Sequence, residues 1–229
     1  MRHGFTTSAL GSMGLTGSTD PDAVMRRREE LARQLDFDPG RALWTVQEHG
    51  AHVRAFNRAA PEGGQCVLAT DALATDVSGQ ALLTYHADCY PILFFDRERG
   101  VVGAAHAGWR GCLAGVAIQA VQAMHLAYSS RPEALEVLIG PGICGRCYPV
   151  GNDVADQFIR RFGRESLYLQ RQGSDHRLDL AAVIRLQLED EGVQPAAITA
   201  TGWCTREDAR WFSHRAGRAG RFLAAIVAP

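Results

Sequence analysis

The apolar residues of this chain fall mostly into short runs divided by polar, glycine-rich breaks. Runs at 42–46, 66–69, 81–85, 91–95 and 101–105 are too short for ordinary helices and predict strands. Residues 135–139, 198–203 and 223–227 predict three more. Helical signals lie between them. Asp20-Pro21 supplies an acidic cap followed by proline at the first helical position, which predicts a helix to about Leu35. The apolar stretch from about 113 to 127 predicts a helix buried on several sides. Residues 153–162 and 179–189 complete the set. Strands and helices mix throughout, so the class is α/β or α+β rather than all-β, with α/β, a mixed sheet with flanking helices, the reading adopted. At 229 residues, with no linker, repeat or low-complexity stretch, the chain reads as one catalytic domain over 1–229. Residues 11–19 read as a flexible loop.

Chemistry gathers where the strand-like runs stop. The run 101–105 ends in His106-Ala107-Gly108-Trp109-Arg110-Gly111, and the long apolar helix follows. A strand running into a helix start is where α/β proteins bind ligands. Free N–H groups there favour anions, Arg110 adds a fork of donors suited to phosphate, and the glycines let backbone approach a ligand. A core histidine in a tight turn is the competing account of His106. Two other breaks resemble it: Gln47-Glu48-His49-Gly50 and His86-Ala87-Asp88-Cys89-Tyr90-Pro91. His49, Cys89 and His106 thus all fall at strand ends. Two imidazoles and a thiolate form a three-ligand set for Zn²⁺ with one open position, the catalytic rather than the structural pattern, although the spacing matches no zinc finger. Asp88 is either an outer carboxylate orienting a ligand histidine or a turn residue capping backbone N–H groups. Tyr148 and Phe212 are candidates for a base pocket, with core packing the simpler role. His52 and His86 are not expected as ligands, His86 because it falls on the opposite face of its strand. His214 is a candidate for substrate contact, and His3, His125 and His176 carry no signal.

The segments HAGWRG, Ala87-Asp88-Cys89 followed by Pro91, and Gln47-x-His49-Gly50 together resemble the YfiH family, whose members are often labelled laccase-domain or polyphenol oxidase proteins. The opening at 3–7, the stretch 71–76, Ile139-Gly140-Pro141 through 147–151, Leu178-Asp179-Leu180, Cys204-Thr205, 212–215 and Gly220-Arg221 follow in the family's order, so the resemblance spans nearly the whole chain. It implies a zinc site on His49, Cys89 and His106, with copper the less favoured metal. It also implies a fold shared with toxin-type cysteine–histidine hydrolases. The implied activity is purine nucleoside phosphorolysis, a glycosyltransferase reaction converting adenosine, inosine, guanosine or methylthioadenosine and phosphate to base and ribose 1-phosphate. Adenosine deamination is implied as a side activity. Ser8, Arg27 and Ile184 depart from the usual residues and are expected to alter the substrate rim.

The remaining composition trims the alternatives. A formal charge of −1 argues against nucleic acid or an anionic membrane as partner. The chain has no lysine, which excludes Schiff-base chemistry on that residue. The N-terminal segment lacks an apolar core and no run suits a membrane span, so the expectation is a cytoplasmic, monomeric protein whose partners are nucleoside and phosphate. The six cysteines are expected as free thiols in a reducing compartment. Cys144-Gly145-Arg146-Cys147 is redox-active, half a zinc site, or a turn with incidental thiols. The crowding of glycine and proline, and the lack of a second such pair, favour the turn. A four-copper oxidase is disfavoured because copper clusters use many imidazoles and this chain has eight, none in an H-x-H pair. Cys89 and His106 as nucleophile and base, acting on a peptidoglycan precursor, form the rival enzyme. A non-enzymatic scaffold is the third class.

Overall fold

The computed structural model describes residues 2–15, 20–163, 165–173 and 175–229. The chain starts with strand β1 (Arg2–Phe5) and helix α1 (Pro21–Leu35). Strands β2 (Leu43–Thr45), β3 (Val53–Phe56), β4 (Gln65–Val67), β5 (Ala72–Thr75), β6 (Ala81–His86), β7 (Tyr90–Asp96) and β8 (Val101–Ala107) follow. Next come helices α2 (Trp109–Ala114) and α3 (Val116–Tyr128) and strand β9 (Leu135–Ile139). Then come β10 (Pro149–Val150), α4 (Asn152–Phe162), β11 (Leu169–Gln172), β12 (Asp175–Leu178), α5 (Leu180–Asp190), β13 (Ile198–Ala200) and β14 (Phe222–Val227).

Two mixed sheets carry the fold among the described residues. One runs β1-β14-β6-β2-β4, the other β13-β9-β7-β8-β5-β3, with a small antiparallel β10-β12-β11 sheet beside them. The larger sheets lie face to face. Leu93, Phe95, Val102 and Ala104 from one meet Leu43, Leu82, Ala224 and Ile226 from the other. The opposite face of the six-stranded sheet, with Ile92, Phe94, Val137 and Ile139, packs on Val116, Val121 and Met124 of α3 and Leu180, Val183 and Ile184 of α5. The outer face of the five-stranded sheet, with Leu83, Leu223 and Ala225, packs on Leu31 of α1. The order of layers is therefore helix, sheet, sheet, helix. Strands β7 and β8 are buried along their whole length because both faces are covered.

The helix expected at 113–127 is two helices. Gly115 sits at φ 87°, a left-handed conformation that ends α2 and opens α3. Asp20 caps α1 by accepting the Ala23 N–H at 2.9 Å, as the sequence predicts. Of the loop expected at 11–19, residues 16–19 lie outside the described residues. Arg27 touches this segment, donating to the Ser12 carbonyl at 3.0 Å, and Ser8 Oγ donates to the Ala209 carbonyl at 3.1 Å. Ile184 is fully buried in the α5 core. It belongs to no substrate rim, which corrects that expectation. Among the described residues no helix is long and apolar enough to cross a membrane.

Candidate metal centre

Cys89 and His106 reach one point from adjacent strands. Strands β7 and β8 pair antiparallel, with Tyr90 opposite Ala107 and Pro91 opposite His106. This register places Cys89, just before β7, beside the end of β8. His49 comes from the loop between β2 and β3 and adopts a left-handed backbone at φ 62°. The imidazole rings of His49 and His106 meet edge-on with centroids 4.8 Å apart. One donor atom from each of His49, Cys89 and His106 lies within 4.8 Å of the others. A tetrahedral zinc shell with sulfur and nitrogen ligands sets such separations at roughly 3–4 Å.

Asp71, ahead of β5, organises this geometry. Its carboxylate is buried and accepts the backbone N–H groups of Glu48 at 3.2 Å, His49 at 3.0 Å and Gly50 at 2.8 Å. That holds the left-handed turn bearing His49. The same carboxylate accepts Nδ1–H of His106 at 2.9 Å, and the Asp71 carbonyl accepts the His106 N–H at 2.8 Å. Nδ1 of His106 is thereby occupied, and Nε2 is the nitrogen left to bind. A carboxylate behind a ligand imidazole is the usual support of a metal histidine. Sequence reading missed this role. The only signal available was an acid placed directly before an apolar strand.

Asp88 takes the other of its two roles. Its carboxylate accepts Thr205 Oγ1 at 2.7 Å, Ser213 Oγ at 2.6 Å and the Arg215 N–H at 2.7 Å. It ties the C-terminal loops to the residue before Cys89 and orients no histidine. His86 is also placed differently from expectation. It is buried with its ring centroid 5.3 Å from that of His106, not on the far side of the strand. Its nitrogens are engaged by Thr84 Oγ1 at 2.8 Å and the Cys89 carbonyl at 3.2 Å, so it stands beside the donor set rather than in it. His52 contacts the Ala69 carbonyl at 3.2 Å, and His214 is exposed. Tyr148 belongs to the core, with the Arg215 guanidinium 4.8 Å over its ring. Phe212 is half-buried against Gly220.

Electrostatics binds the three donors together. Burial pushes the Cys89 thiol up, but His106 and His49 outweigh it and bring it down from 9.0 to about 6. Burial lowers His106, yet Cys89 and Asp71 outweigh it and raise it from 6.5 to about 9. For Asp71, burial raises and the His106 and backbone bonds lower, with a net fall. Without a cation the pair is a thiolate beside an imidazolium, and its thiolate fraction grows as pH rises through about 6. Alkylation of Cys89 in chelator-treated protein, followed by peptide mass, should therefore level off by about pH 7. An ordinary thiol keeps gaining rate well beyond that. Added zinc should suppress the reaction.

Gly108 is the close-approach glycine here. A Cβ on it would lie 2.9 Å from Cys89 Sγ and 3.1 Å from His49 Cδ2. Its φ of −85° suits alanine, so Gly108→Ala tests space alone. We expect about 1–3 kcal/mol of overpacking, read as roughly tenfold weaker zinc binding in a chelator competition. Arg110 lies one residue into α2, exposed, with its guanidinium 4.4 Å over the Trp109 ring. Among the described residues it has no carboxylate partner.

The comparisons with known proteins agree with this architecture. The chain belongs to the laccase-like family described as multi-copper polyphenol oxidoreductase laccase, which it matches over residues 2–229. It is similar to a purine nucleoside phosphorylase of Deinococcus radiodurans, 40% identical over 240 residues, covering 99% of this chain and 89% of that one. A purine nucleoside phosphorylase of Streptomyces coelicolor is 37% identical over 216 residues, covering 94% and 86%. Among solved structures, YlmD from Geobacillus stearothermophilus superposes with a TM-score of 0.92 at 33% identity, covering 99% of this chain and 91% of that one. YfiH from Bacillus licheniformis gives 0.90 at 30%, covering 99% and 92%.

Proposed function

We propose that the chain is a zinc-dependent purine nucleoside phosphorylase that converts adenosine, inosine, guanosine or methylthioadenosine and phosphate to free base and ribose 1-phosphate, with slower deamination of adenosine. The observation carrying this reading is a three-donor centre of two imidazoles and one thiolate at the end of the strand that leads into α2, whose second residue is Arg110. Its similarity to proteins named purine nucleoside phosphorylase supplies the substrate class. The donor set fits zinc: nitrogen and sulfur ligands, an imidazole whose other nitrogen is held by Asp71, and three donors that leave a coordination position free. His49, Cys89 and His106 would hold the ion. When bound, Zn²⁺ supplies Lewis-acid charge stabilisation.

The chain's own groups do the rest. Arg110 holds phosphate by its donor fork, with the first turn of α2 alongside. A phosphate oxygen attacks the sugar C1′, the C1′–N9 bond breaks, and its electron pair leaves with the purine. Asp71 keeps His106 in one tautomer throughout. With water as nucleophile at purine C6, a C–O bond would form, the C6–N6 bond would break, and the amino group would leave as ammonia. The donor set also weighs against copper oxidation, because among the described residues neither metal-competent cluster holds more than two histidines.

The test is product chromatography after incubating zinc-loaded protein with adenosine, inosine, guanosine and methylthioadenosine, with and without phosphate. Phosphate-dependent base release supports the assignment, and no base release from any of them rejects it. In Arg110→Ala, losing a charged hydrogen bond of about 1.5–3 kcal/mol should raise KM for phosphate about tenfold or more with zinc content unchanged. An unmoved KM would make Arg110 structural. One observation favours a second reading: the depressed Cys89 thiol beside His106 is also the pair a cysteine hydrolase needs. Activity that survives metal removal and is abolished by alkylating Cys89 would select it.

A further inference from the structure

A second group of metal-competent side chains lies outside this centre. Cys144 precedes and Cys147 ends a single 3-10 turn, Gly145–Cys147. Cys204 and Glu207 come from the loop that follows β13. One donor atom from each of the four lies within 4.8 Å of the others. Three of these residues are thiols, and Cys147 and Cys204 are buried while Cys144 is half-buried and Glu207 exposed.

The backbone around them is arranged as it is around metal thiolates. The Cys144 N–H points at Cys204 Sγ at 3.4 Å, and the N–H groups of Arg206 and Glu207 point at the same sulfur. Such bonds offset charge on a thiolate and orient it. The Cys147 N–H donates to the Cys144 carbonyl at 2.9 Å, closing the turn that carries both cysteines. Glu207 approaches Cys147 Sγ at 3.3 Å and Cys144 Sγ at 3.9 Å. Arg146 pairs with Glu207 at 3.1 Å from the solvent side, countering part of the negative charge. The two segments are also joined by backbone, with the Thr205 N–H donating to the Gly142 carbonyl at 3.0 Å and the Gly142 N–H to the Trp203 carbonyl at 3.2 Å.

We infer that Cys144, Cys147, Cys204 and Glu207 form a second zinc site, closed by four protein ligands and structural in role. Three thiolates and a carboxylate leave no open position, the pattern of structural rather than catalytic zinc. The site also has a place in the architecture. Next to Cys144, the Ile143 N–H donates to the Asp88 carbonyl at 2.9 Å, and next to Cys204, Thr205 Oγ1 donates to the Asp88 carboxylate at 2.7 Å. An ion clamping the two segments would hold two of the supports of Asp88, the residue before Cys89.

The experiment counts zinc by mass spectrometry of elements in protein purified under reducing conditions, loaded with zinc and passed over a chelating resin. Two ions per chain are expected in the native protein. His49→Ala should keep one, Cys144→Ser should keep one, and the double variant none. Glu207→Gln, an exposed change that leaves the fold alone, should bind its second ion more weakly against a chelator. Cobalt loaded into His49→Ala should show sulfur-to-cobalt charge transfer of three-thiolate intensity, lost in Cys144→Ser. A single ion in the native protein with none in His49→Ala overturns the inference. So does an intact mass two hydrogens light in the reduced preparation, which would mark a disulfide among these cysteines.

Discussion

Asp71→Ala is expected to be the most damaging single substitution at the centre. The carboxylate is 1% exposed and accepts three backbone N–H groups and one imidazole N–H. Removing it leaves the buried His106 Nδ1–H and three part-buried backbone N–H groups without their acceptor. Deleting one partner of a buried charged pair costs about 3–5 kcal/mol. For a chain of this size that reads as a fall in Tm of roughly 10 °C or more. Metal binding should suffer separately, because removing the carboxylate behind a ligand histidine lowers affinity about 10–100-fold. Asp71→Asn separates the two effects. It keeps the volume but points an amide N–H₂ at groups that are themselves donors. It should recover part of the stability while zinc still binds weakly. Native zinc affinity in Asp71→Asn would reduce the carboxylate to a turn cap.

Cys89→Ala is expected to have the largest effect on chemistry. Cys89 is the one anionic donor among the three, so the two imidazoles left behind should hold zinc poorly. Zinc content should fall by one equivalent, and phosphate-dependent base release should fall to background. Stability should change little beyond the loss of the ion, since the side chain is small and only part-buried. Calorimetry of the chelated native and variant proteins, which should melt within a few degrees of each other, isolates that point. Full zinc retention with activity lost would instead mark Cys89 as a nucleophile.

How much of this could be read from sequence depends on how far each relationship reaches along the chain. Strands β6, β7, β8, β9 and β14 were legible because their apolar runs sit between clear breaks. β1 (RHGF), β3 (VRAF) and β5 (ALAT) were not, since each is four residues with little apolar contrast, and pairing with neighbours makes them strands. The expected 113–127 helix broke at Gly115, where the left-handed turn outweighs an apolar pattern that runs through it. His49, Cys89 and His106 stood out because each is a metal-competent residue at the end of an apolar run. Asp71 did not, because its partners lie 21 to 35 positions away and no local pattern encodes them. Cys144 and Cys147 were visible as a pair, but a turn with incidental thiols was the favoured account. What that account lacked was Cys204 and Glu207, which the parallel bridge between Gly142 and Cys204 brings alongside.

The position of β14 bears on how the protein is made. In its sheet β14 lies between β1 and β6, pairing Phe5 with Ala224 on one side and His86 with Phe222 on the other. A ribosome releases β1 and β6 long before it releases residues 222–227. Until then the two strands have no neighbour to join them, and the inner faces of the sandwich are open to water. The nascent chain is thus held in an incomplete state with exposed strand edges until residues 222–227 emerge, the condition in which chaperones act. The strand that leads to Cys89 gains its β14 neighbour only at that late step. A complete centre needs β14 in place, so stalling translation before residue 222 should yield chains that fail to retain zinc at His49, Cys89 and His106.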